Sequence, residues 1–387
     1  MKILFLIYTG KFGQGGHLHS LNTISRHVAE GYDVNIVTFG WVHCEVLCDN
    51  PYFTTHITTK GFSSLLAPLK LLKTFHKVEP DIIHCFDYPS FYYSVLLDPL
   101  QKFTVVNRCG GPNPSNAPYV KRLLVFSQEN YDWLKRLHPK SYIQLTPNRV
   151  EEKNPSFYVG RKEFDKSDDF IFLRTCRLSE GYRKSIFDAV ALIEKLNDSF
   201  KIKSKLIVMG DIQSEALFNE LVQKEACSAG RILVVTESSF TKETAKYLNV
   251  ADAIIGVGRS AAEGASLSKP ILAIDANGDT PILLKDKFTW QSALRTNISE
   301  RNVFSNEQRN ENMQAILEMI ADEDYRRKVG NLSYRYFLSF YSTQRILPEY
   351  KKLYEYSNSL ARVGGRHVFI RAYRAFKLLV KNLLKIT

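Results

Sequence analysis

Short apolar runs alternate with amphipathic stretches along the first part of the chain. Residues 3–8 form an apolar run of strand length, and residues 17–30 repeat apolar side chains at helical spacing after a glycine-rich turn. Five more segments have the length and composition of strands: 33–39, 81–84, 104–107, 123–126 and 142–145. Strands that alternate with helices predict a parallel sheet with helices on both faces.

The same alternation restarts after a polar stretch. Strands are predicted at 170–175, 205–209, 232–236, 253–255 and 270–274, and helices at 185–196, 215–226, 242–249 and 260–267. We therefore predict an α/β protein with two Rossmann-like, doubly wound parallel-sheet domains facing a central cleft. Such sheets bind ligands at the carboxyl ends of their strands, so the cleft is the expected site.

The predicted domain boundaries follow from these patterns. They are an N-terminal domain at 1–150, a linker at 151–168, a C-terminal domain at 169–335, a crossover helix at 336–357 that packs back on the first domain, and a terminal helix at 362–387.

The terminal helix combines basic and apolar residues at spacings of three and four. Its basic positions are Arg371, Arg374, Lys377, Lys381 and Lys385, with aromatic and aliphatic residues between them. A helix with one basic and one apolar face is typical of a membrane interface, and the charge suits an anionic inner leaflet. The alternative is a terminal helix packed on the protein.

Composition narrows the possible classes. The chain has 387 residues, 44% of them hydrophobic, and a net charge of +12, which predicts an acidic partner such as nucleotide phosphates, an anionic membrane or nucleic acid. No apolar run has the length of a membrane span, and the first residues do not have the pattern of a secretory signal, so we expect a cytoplasmic protein, peripheral on the inner face of the membrane.

The six cysteines show no disulfide spacing. His43, Cys44 and Cys48 lie close together, but no second ligand pair follows at zinc spacing. We expect buried thiols there and no metal site.

Four groups of residues are candidates for chemistry. Gly15 and Gly16 lie at a strand-to-helix turn, where free N–H groups suit a phosphate, although a simple turn is an equal alternative. Arg177 and Lys184 flank the turn after the first strand of the second half, where two cations could hold a diphosphate or form an ordinary solvated loop.

A second loop, Gly256-Val257-Gly258-Arg259-Ser260, precedes Glu263. We expect Ser260 to cap a helix there, so that a carboxylate one turn in could accept two ribose hydroxyls. The alternative is an ordinary glutamate favoured by the helix dipole.

The last group lies on the acceptor side. His84 ends a predicted strand and Asp87 follows it, so both could contact an acceptor or handle a proton, while a structural histidine is an equal alternative for His84. His17, at the start of the first helix, and Asn113, in a rigid proline-containing loop, are further acceptor-side candidates.

Together these segments resemble retaining GT-B glycosyltransferases, especially the family 4 group. Residues 80–84 resemble the "PDVIH" strand, 206–211 resemble "LLIVGDG", and 262–271 resemble "LEAMACGKPVI". Further similar segments occur in the same order: 2–5, 15–16, 146–150, 177–184, 247–252 and 340–354.

This resemblance implies roles for individual residues. Arg177 and Lys184 would hold and stabilise the donor diphosphate as catalytic cations, and Gly15, Gly16, Gly210, Arg259, Ser260 and Glu263 would complete the donor site. No metal or cofactor would be needed. Two positions depart from the family: Ile255 stands where many members have a first Glu, and the loop 108–111 lacks their His.

The implied activity is transfer of a sugar from a UDP- or GDP-sugar to a lipid-linked or polysaccharide acceptor of a bacterial capsule, O-antigen or exopolysaccharide. Two alternatives remain: a GT-B nucleotide-sugar epimerase, and a non-catalytic subunit that binds a nucleotide-sugar. Nucleic acid is not an expected partner, because no recognition motif accompanies the charge.

Overall fold

The computed structural model describes residues 1–10, 13, 15–154, 169–356 and 363–384. The chain forms two compact units, one made of Met1–Arg149 with Thr343–Thr387 and the other of Val150–Ser342. Most of the predicted linker, at 155–168, lies outside the described residues, as does Lys385 of the terminal helix.

The first unit contains a parallel sheet of seven strands in the order β3-β2-β1-β4-β5-β6-β7. Its strands are β1 (Lys2–Tyr8), β2 (Asp33–Gly40), β3 (Phe53–Thr58), β4 (Ile82–Cys85), β5 (Thr104–Arg108), β6 (Arg122–Val125) and β7 (Tyr142–Leu145). Its helices before the return of the chain are α1 (Gly16–Val28), α2 (Glu45–Cys48), α3 (Ser63–Val78), α4 (Tyr88–Tyr93) and α5 (Gln128–Leu137).

Helices cover both faces of this sheet because the strands are apolar on both sides. Ile3, Phe5 and Ile7 pack into one core, and Leu4 and Leu6 pack into the other. Alternate side chains of a strand point to opposite faces, so an unbroken apolar run requires two covered faces. The doubly wound architecture predicted from the sequence is confirmed here.

The strand β3 was not predicted. It lies at the sheet edge next to β2, and only Ile57 among its side chains is buried. An edge strand needs few apolar residues, so its sequence signal was limited to the β-branched threonines.

The chain returns to the first unit through α13 (Ile346–Glu355), which packs on α1. Tyr350 and Leu353 enter the core beside Leu18 and Leu21. On the same helix, the Glu349 carboxylate accepts two hydrogen bonds from Arg149 Nη2, at 2.6 and 2.7 Å. This contact connects the end of the first segment of the unit, at Arg149, to the segment that begins at Thr343.

The terminal helix α14 (Gly365–Leu383) packs against α3 and α4. The sequence predicted Arg371 and Arg374 as part of an exposed basic face, and this is wrong for Arg371, which is 1% exposed. Arg374 is half-buried and donates to Tyr92 Oη at 3.0 Å. Positions 371, 375 and 382 share one side of a helix, and that side faces the protein.

The second unit contains a six-stranded sheet in the order β10-β9-β8-β11-β12-β13. Its strands are β8 (Phe170–Thr175), β9 (Ser204–Met209), β10 (Ile232–Val235), β11 (Ala253–Ile255), β12 (Ile271–Ala273) and β13 (Ile282–Leu283), and only β13 is antiparallel among these pairs. Its helices are α6 (Arg183–Asp198), α7 (Glu215–Cys227), α8 (Ser238–Thr241), α9 (Arg259–Ser266), α10 (Lys287–Leu294), α11 (Asn306–Ala321) and α12 (Glu323–Tyr336).

Candidate functional site

The candidate donor residues follow neighbouring strands of the second unit. The chain runs from β8 through β9 to β10 on one side of β8, and then places β11 on the other side. The turn after β8 leads to Arg177 and Lys184, and the turn after β11 leads to Arg259 and Glu263. Both turns therefore lie at the point where the strand order reverses, which is the general ligand position in such sheets.

Arg177 is exposed and stacks on Tyr182. The centre of its guanidinium lies 5.5 Å from the ring centroid, and Nη2 donates to Tyr182 Oη at 3.3 Å. The same ring lies 5.8 Å from the guanidinium of Arg174. The ring of Tyr182 therefore contacts both an exposed guanidinium, that of Arg177, and a buried one, that of Arg174.

Lys184 lies in the first turn of α6 and points toward the loop after β12. Its Nζ contacts Asp188 Oδ2 at 2.5 Å and donates to the carbonyl of Asp275 at 3.1 Å. Nζ also donates to the carbonyl of Gly278, so all three N–H groups of the ammonium have acceptors although the side chain is about half exposed. A phosphate oxygen would compete with Asp188 for this cation.

Glu263 is almost fully buried near the start of α9. Its Oε1 lies 2.8 Å from Arg259 Nε and 3.9 Å from Lys153 Nζ. Arg259 keeps a buried Nη1 that has no hydrogen-bond partner among the described residues. A buried donor without a partner is costly in a folded protein, so this N–H is a natural contact for an anionic ligand.

The helix α9 begins at Arg259 with Gly258 as its capping residue, so the prediction that Ser260 caps it is wrong. Gly258 has φ +52, which places the cap in a region that favours glycine. Ser260 Oγ instead accepts from the N–H of Val257 at 3.1 Å. The serine therefore stabilises the loop from inside the first turn.

Gly210 follows β9, which neighbours β8. A Cβ on Gly210 would lie 1.6 Å from the carbonyl oxygen of Cys176, so only glycine fits. The residue allows the turns after β8 and β9 to approach each other at the same edge of the sheet.

Sequence reasoning missed Glu300. Its Oε1 accepts from Arg174 Nη2 at 2.7 Å, and Arg174 Nη1 reaches the carbonyl of Ile255 at 3.4 Å. Burial raises the pKa of Glu300, and the charge of Arg174 opposes that shift. A carboxylate therefore lies near the end of β11 although Ile255 itself carries none.

No local pattern marks Glu300, because it comes from an irregular loop. Asn297 and Ile298 in that loop have φ +61 and +48, and the Ile298 carbonyl accepts from Gly258 N at 2.6 Å. A β-branched residue at positive φ is strained, and such strain persists only where the surrounding contacts impose it. Asn302 fixes the loop by donating to the carbonyl of Ile274 at 2.9 Å.

In the first unit, Gly15, Gly16 and Asp87 lie where its strand order reverses, between β1 and β4. Gly15 caps α1 with φ +147, a conformation that favours glycine, and none of the described residues lies within 4 Å of a Cβ built on Gly16. The half-exposed His17 follows in the first turn. The N–H groups at the start of a helix can bind an anion, so this turn stays a candidate phosphate site.

Both carboxylate oxygens of Asp87 accept hydrogen bonds from backbone N–H groups. Its Oδ1 accepts from Ser90 N at 2.7 Å, which caps α4, and its Oδ2 accepts from Tyr8 N at 2.8 Å. Burial raises the pKa of Asp87 to about 6, although these hydrogen bonds lower it. The carboxylate joins the ends of β1 and β4.

His84 has no exposed surface. Its Nδ1 lies 2.7 Å from Tyr354 Oη and its Nε2 lies 2.7 Å from Asn107 Oδ1. Its ring is stacked between Phe5 and Tyr350, and burial lowers its pKa to about 4. With both nitrogens engaged inside the core, the imidazole stabilises the fold, and its position argues against the predicted catalytic role.

The structure also describes Asn113, the thiols of Cys44 and Cys48, and the side chains that could bind a metal ion. Asn113 is exposed and precedes a short 3-10 helix, with its Oδ1 accepting from Ser115 Oγ at 2.7 Å. Cys44 is buried as expected, but Cys48 is exposed. Within the described ranges, no group of three or more His, Cys, Asp or Glu side chains is arranged to hold a metal ion.

Comparison with known proteins identifies the fold. No family model and no curated protein matches the sequence. HepE from Anabaena, solved in complex with UDP, superimposes with a TM-score of 0.65 at 14% identity over 91% of this chain and 99% of that one. A glycosyltransferase from Rickettsia africae gives 0.63 at 13% identity, over 92% and 100% of the two chains. The lipopolysaccharide outer core galactosyltransferase WaaB gives 0.58 at 13%, over 91% and 99%. The chain therefore has the GT-B fold.

Proposed function

We propose that this protein is a retaining glycosyltransferase that transfers a sugar from a UDP- or GDP-sugar to a lipid-linked or polysaccharide acceptor. The observation that carries this proposal is the placement of Arg177, Lys184, Arg259 and Glu263 on two turns that follow adjacent strands, β8 and β11, where the strand order of the second unit reverses.

Each residue would bind a different part of the nucleotide-sugar donor. Glu263 would accept hydrogen bonds from ribose hydroxyls, and the unpaired N–H of Arg259 would reach a phosphate oxygen. Arg177 and Lys184 would neutralise the diphosphate as it leaves, which stabilises the transition state electrostatically. As the bond between the anomeric carbon and the phosphate oxygen breaks, positive charge develops on the sugar. An acceptor hydroxyl group attacks the anomeric carbon from the same face and gives its proton to the leaving phosphate oxygen. No protein nucleophile is part of this scheme.

Similar structures support the choice of donor. HepE was solved with UDP and with UDP-glucose, and the pneumococcal O-GlcNAc transferase GtfA with UDP and GlcNAc. The name of WaaB, a lipopolysaccharide galactosyltransferase, supports a bacterial surface glycan as the acceptor class. Each of these proteins is less than 15% identical to this chain, so they guide the choice of ligands to test.

The first experiment is a thermal-shift screen against UDP, GDP, CMP and their common sugars. Binding to the native state raises the melting temperature with ligand concentration. We expect one nucleotide family to stabilise the protein, and Arg177→Ala or Lys184→Ala to abolish the shift. If no nucleotide or nucleotide-sugar shifts the melting temperature, the donor site is wrong.

The reaction is then identified from its products. A transferase releases a nucleoside diphosphate from the nucleotide-sugar that the screen selects. This release is slow when water is the acceptor and faster when the sugar acceptor is present. An epimerase would invert the configuration at one carbon of the sugar and release no nucleotide. This alternative is supported by the similarity to the UDP-GlcNAc 2-epimerase from Methanocaldococcus jannaschii, with a TM-score of 0.55. A non-catalytic subunit would bind the nucleotide-sugar and leave it chemically unchanged.

A further inference from the structure

The helices α3 and α14 leave apolar side chains exposed on the first unit. On α3 and its capping residue these are Phe62, Leu65, Leu66 and Leu69, and on α14 they are Phe369, Tyr373 and Phe376. The two helices contact each other, and the N–H of Gly61 donates to the carbonyl of Asn382 at 2.9 Å. We call these seven side chains and the two helices that carry them the α3–α14 face.

The spacing shows that each exposed row lies along one side of its helix. Residues 62, 65, 66 and 69 are separated by three, four and seven positions, and residues 369, 373 and 376 by four and seven. Phe62 is 84% exposed and Phe369 is 72% exposed. Monomeric soluble proteins rarely expose several large apolar side chains together, so such a patch indicates an interaction surface.

Buried polar contacts fix the orientation of α14. Arg371 Nη2 donates to Ser94 Oγ at 2.9 Å, Nη1 donates to the carbonyl of Pro99 at 3.1 Å, and the guanidinium lies 4.2 Å from the Phe91 ring centroid. Asn382 Oδ1 accepts from Trp41 Nε1 at 2.9 Å. Rotating the helix to bury its aromatic residues would break these contacts and expose Phe91.

The charge of the α3–α14 face is of one sign. Neither α3 nor α14 contains an aspartate or glutamate. Exposed basic side chains accompany the apolar rows on both helices: Lys70, Lys73 and Lys77 on α3, and Arg366, Lys377 and Lys381 on α14. Exposed aromatic residues beside several cations match the two layers of an anionic lipid surface, apolar chains below and phosphate groups above.

We infer that the α3–α14 face binds the surface of an anionic phospholipid bilayer, with the aromatic and leucine side chains inserted and the lysines at the headgroups. Among the described residues, no helix is both long enough and apolar enough to cross a bilayer. The surface differs from the basic tail expected from sequence, because α3 supplies half of it and Arg371 faces inward.

The test is flotation of the full-length protein with vesicles, without donor or acceptor, so its result is independent of the proposed transferase activity. Vesicles of phosphatidylcholine with phosphatidylglycerol are compared with phosphatidylcholine alone. We expect binding to the anionic vesicles that weakens at high salt. Equal binding to both, or binding to neither, overturns the inference.

Substitutions locate the binding surface. Phe369→Gln with Phe376→Gln, and separately Leu65→Gln with Leu69→Gln, should each reduce the partition coefficient by about tenfold or more, because two inserted side chains are lost. Phe288→Gln is the matched control, since Phe288 is 70% exposed on the second unit. Binding that resists both pairs of substitutions, or that falls equally in the control, overturns the assignment.

A charge variant tests the second half of the inference. Lys377→Gln with Lys381→Gln should reduce binding to anionic vesicles about tenfold or more, whereas Lys287→Gln with Lys328→Gln, two exposed lysines of the second unit, should leave it unchanged. A second copy of the chain is the competing occupant. Self-association in sedimentation that the Phe369 and Phe376 pair abolishes, with no vesicle binding, would assign the face to a dimer and overturn the membrane inference.

Discussion

Arg174 and Glu300 form an ion pair of 2.7 Å, and the Arg174 side chain is completely buried. Arg174 lies on β8 and Glu300 lies in the loop after α10, so the pair connects the centre of the sheet to the strained segment around Ile298. Because Arg174 also reaches the Ile255 carbonyl, the pair lies beside the end of β11, from which the chain continues to Arg259 and Glu263.

Glu300→Gln should destabilise the second unit. It would leave a buried cation without its carboxylate, which typically costs about 3–5 kcal/mol. The double variant Arg174→Met with Glu300→Gln removes both charges and should recover most of this loss, as measured by urea unfolding. If Glu300 also contacts the donor sugar, the double variant recovers stability without recovering turnover. Recovery of both would limit Glu300 to a structural role.

Glu263→Gln should weaken nucleotide-sugar binding by about tenfold or more, because a charged acceptor of two hydroxyl groups becomes a neutral one. Isothermal titration calorimetry measures the dissociation constant directly. Glu215→Gln is a matched control, since Glu215 begins α7 in the same unit and is exposed. Equal affinities for the Glu263 variant and wild type would remove Glu263 from the site.

Arg259→Gln should weaken binding of UDP or GDP more than binding of the corresponding nucleoside. The reason is that its partnerless Nη1 is assigned to a phosphate, which a nucleoside lacks. The ratio of the two dissociation constants is the measurement. A uniform loss for nucleoside and nucleotide would show that Arg259 acts only by positioning Glu263.

Tyr182→Ala should lower diphosphate affinity about threefold, because Arg177 loses the ring that it stacks on. Tyr182→Phe keeps the ring and loses only the hydroxyl group, so it should remain close to wild type. Titration of both variants with the preferred nucleotide separates stacking from hydrogen bonding. If the phenylalanine variant is as weak as the alanine variant, the hydroxyl group carries the effect.

His84 predicts a pH dependence of stability. Burial lowers its folded pKa to about 4 from 6.5, so between these values the unfolded chain binds a proton that the native chain does not. Stability contributed by neutral His84 is therefore present above pH 6.5 and is lost as pH falls toward 4. From pH 7 to pH 5, wild type should lose about 2 kcal/mol more than His84→Gln.

Urea unfolding of both proteins at several pH values measures this difference. Asp87 has the opposite sign, because its raised pKa of about 6 makes the native state the better proton acceptor above pH 3.8. It is present in both proteins and cancels in the comparison. Parallel pH profiles would show that the buried imidazole does not control acid stability.

Individual strands and helix ends show which parts of the secondary structure could be predicted from the sequence. The run at Phe170–Thr175 was predicted with its observed bounds, because every one of its residues is buried and the first four are apolar. The edge strand β3 was missed since partial burial leaves a weak pattern. The cap of α9 was placed at Ser260 because serine commonly caps helices, whereas the backbone conformation of Gly258 decided it.

The same distinction applies to the site. Arg177, Lys184 and Glu263 could be proposed from the sequence because they stand at short offsets from predicted strand ends, and such offsets are visible along a chain. Glu300 was missed because an irregular loop brings it to Arg174 from a distant part of the chain. His84 was placed correctly at a strand end, but only packing showed that Tyr354 and Asn107 enclose it.

The sequence by itself determined the two doubly wound sheets, because apolar periodicity and glycine turns act over a few neighbouring residues. Only the tertiary structure decided which way α14 faces. Its sequence permits either an inward apolar side or an inward arginine, and the choice depends on whether Ser94 and the carbonyl groups beside Phe91 are there to accept from Arg371. Such acceptors lie far away in the chain, and their positions exist only after the first unit has folded.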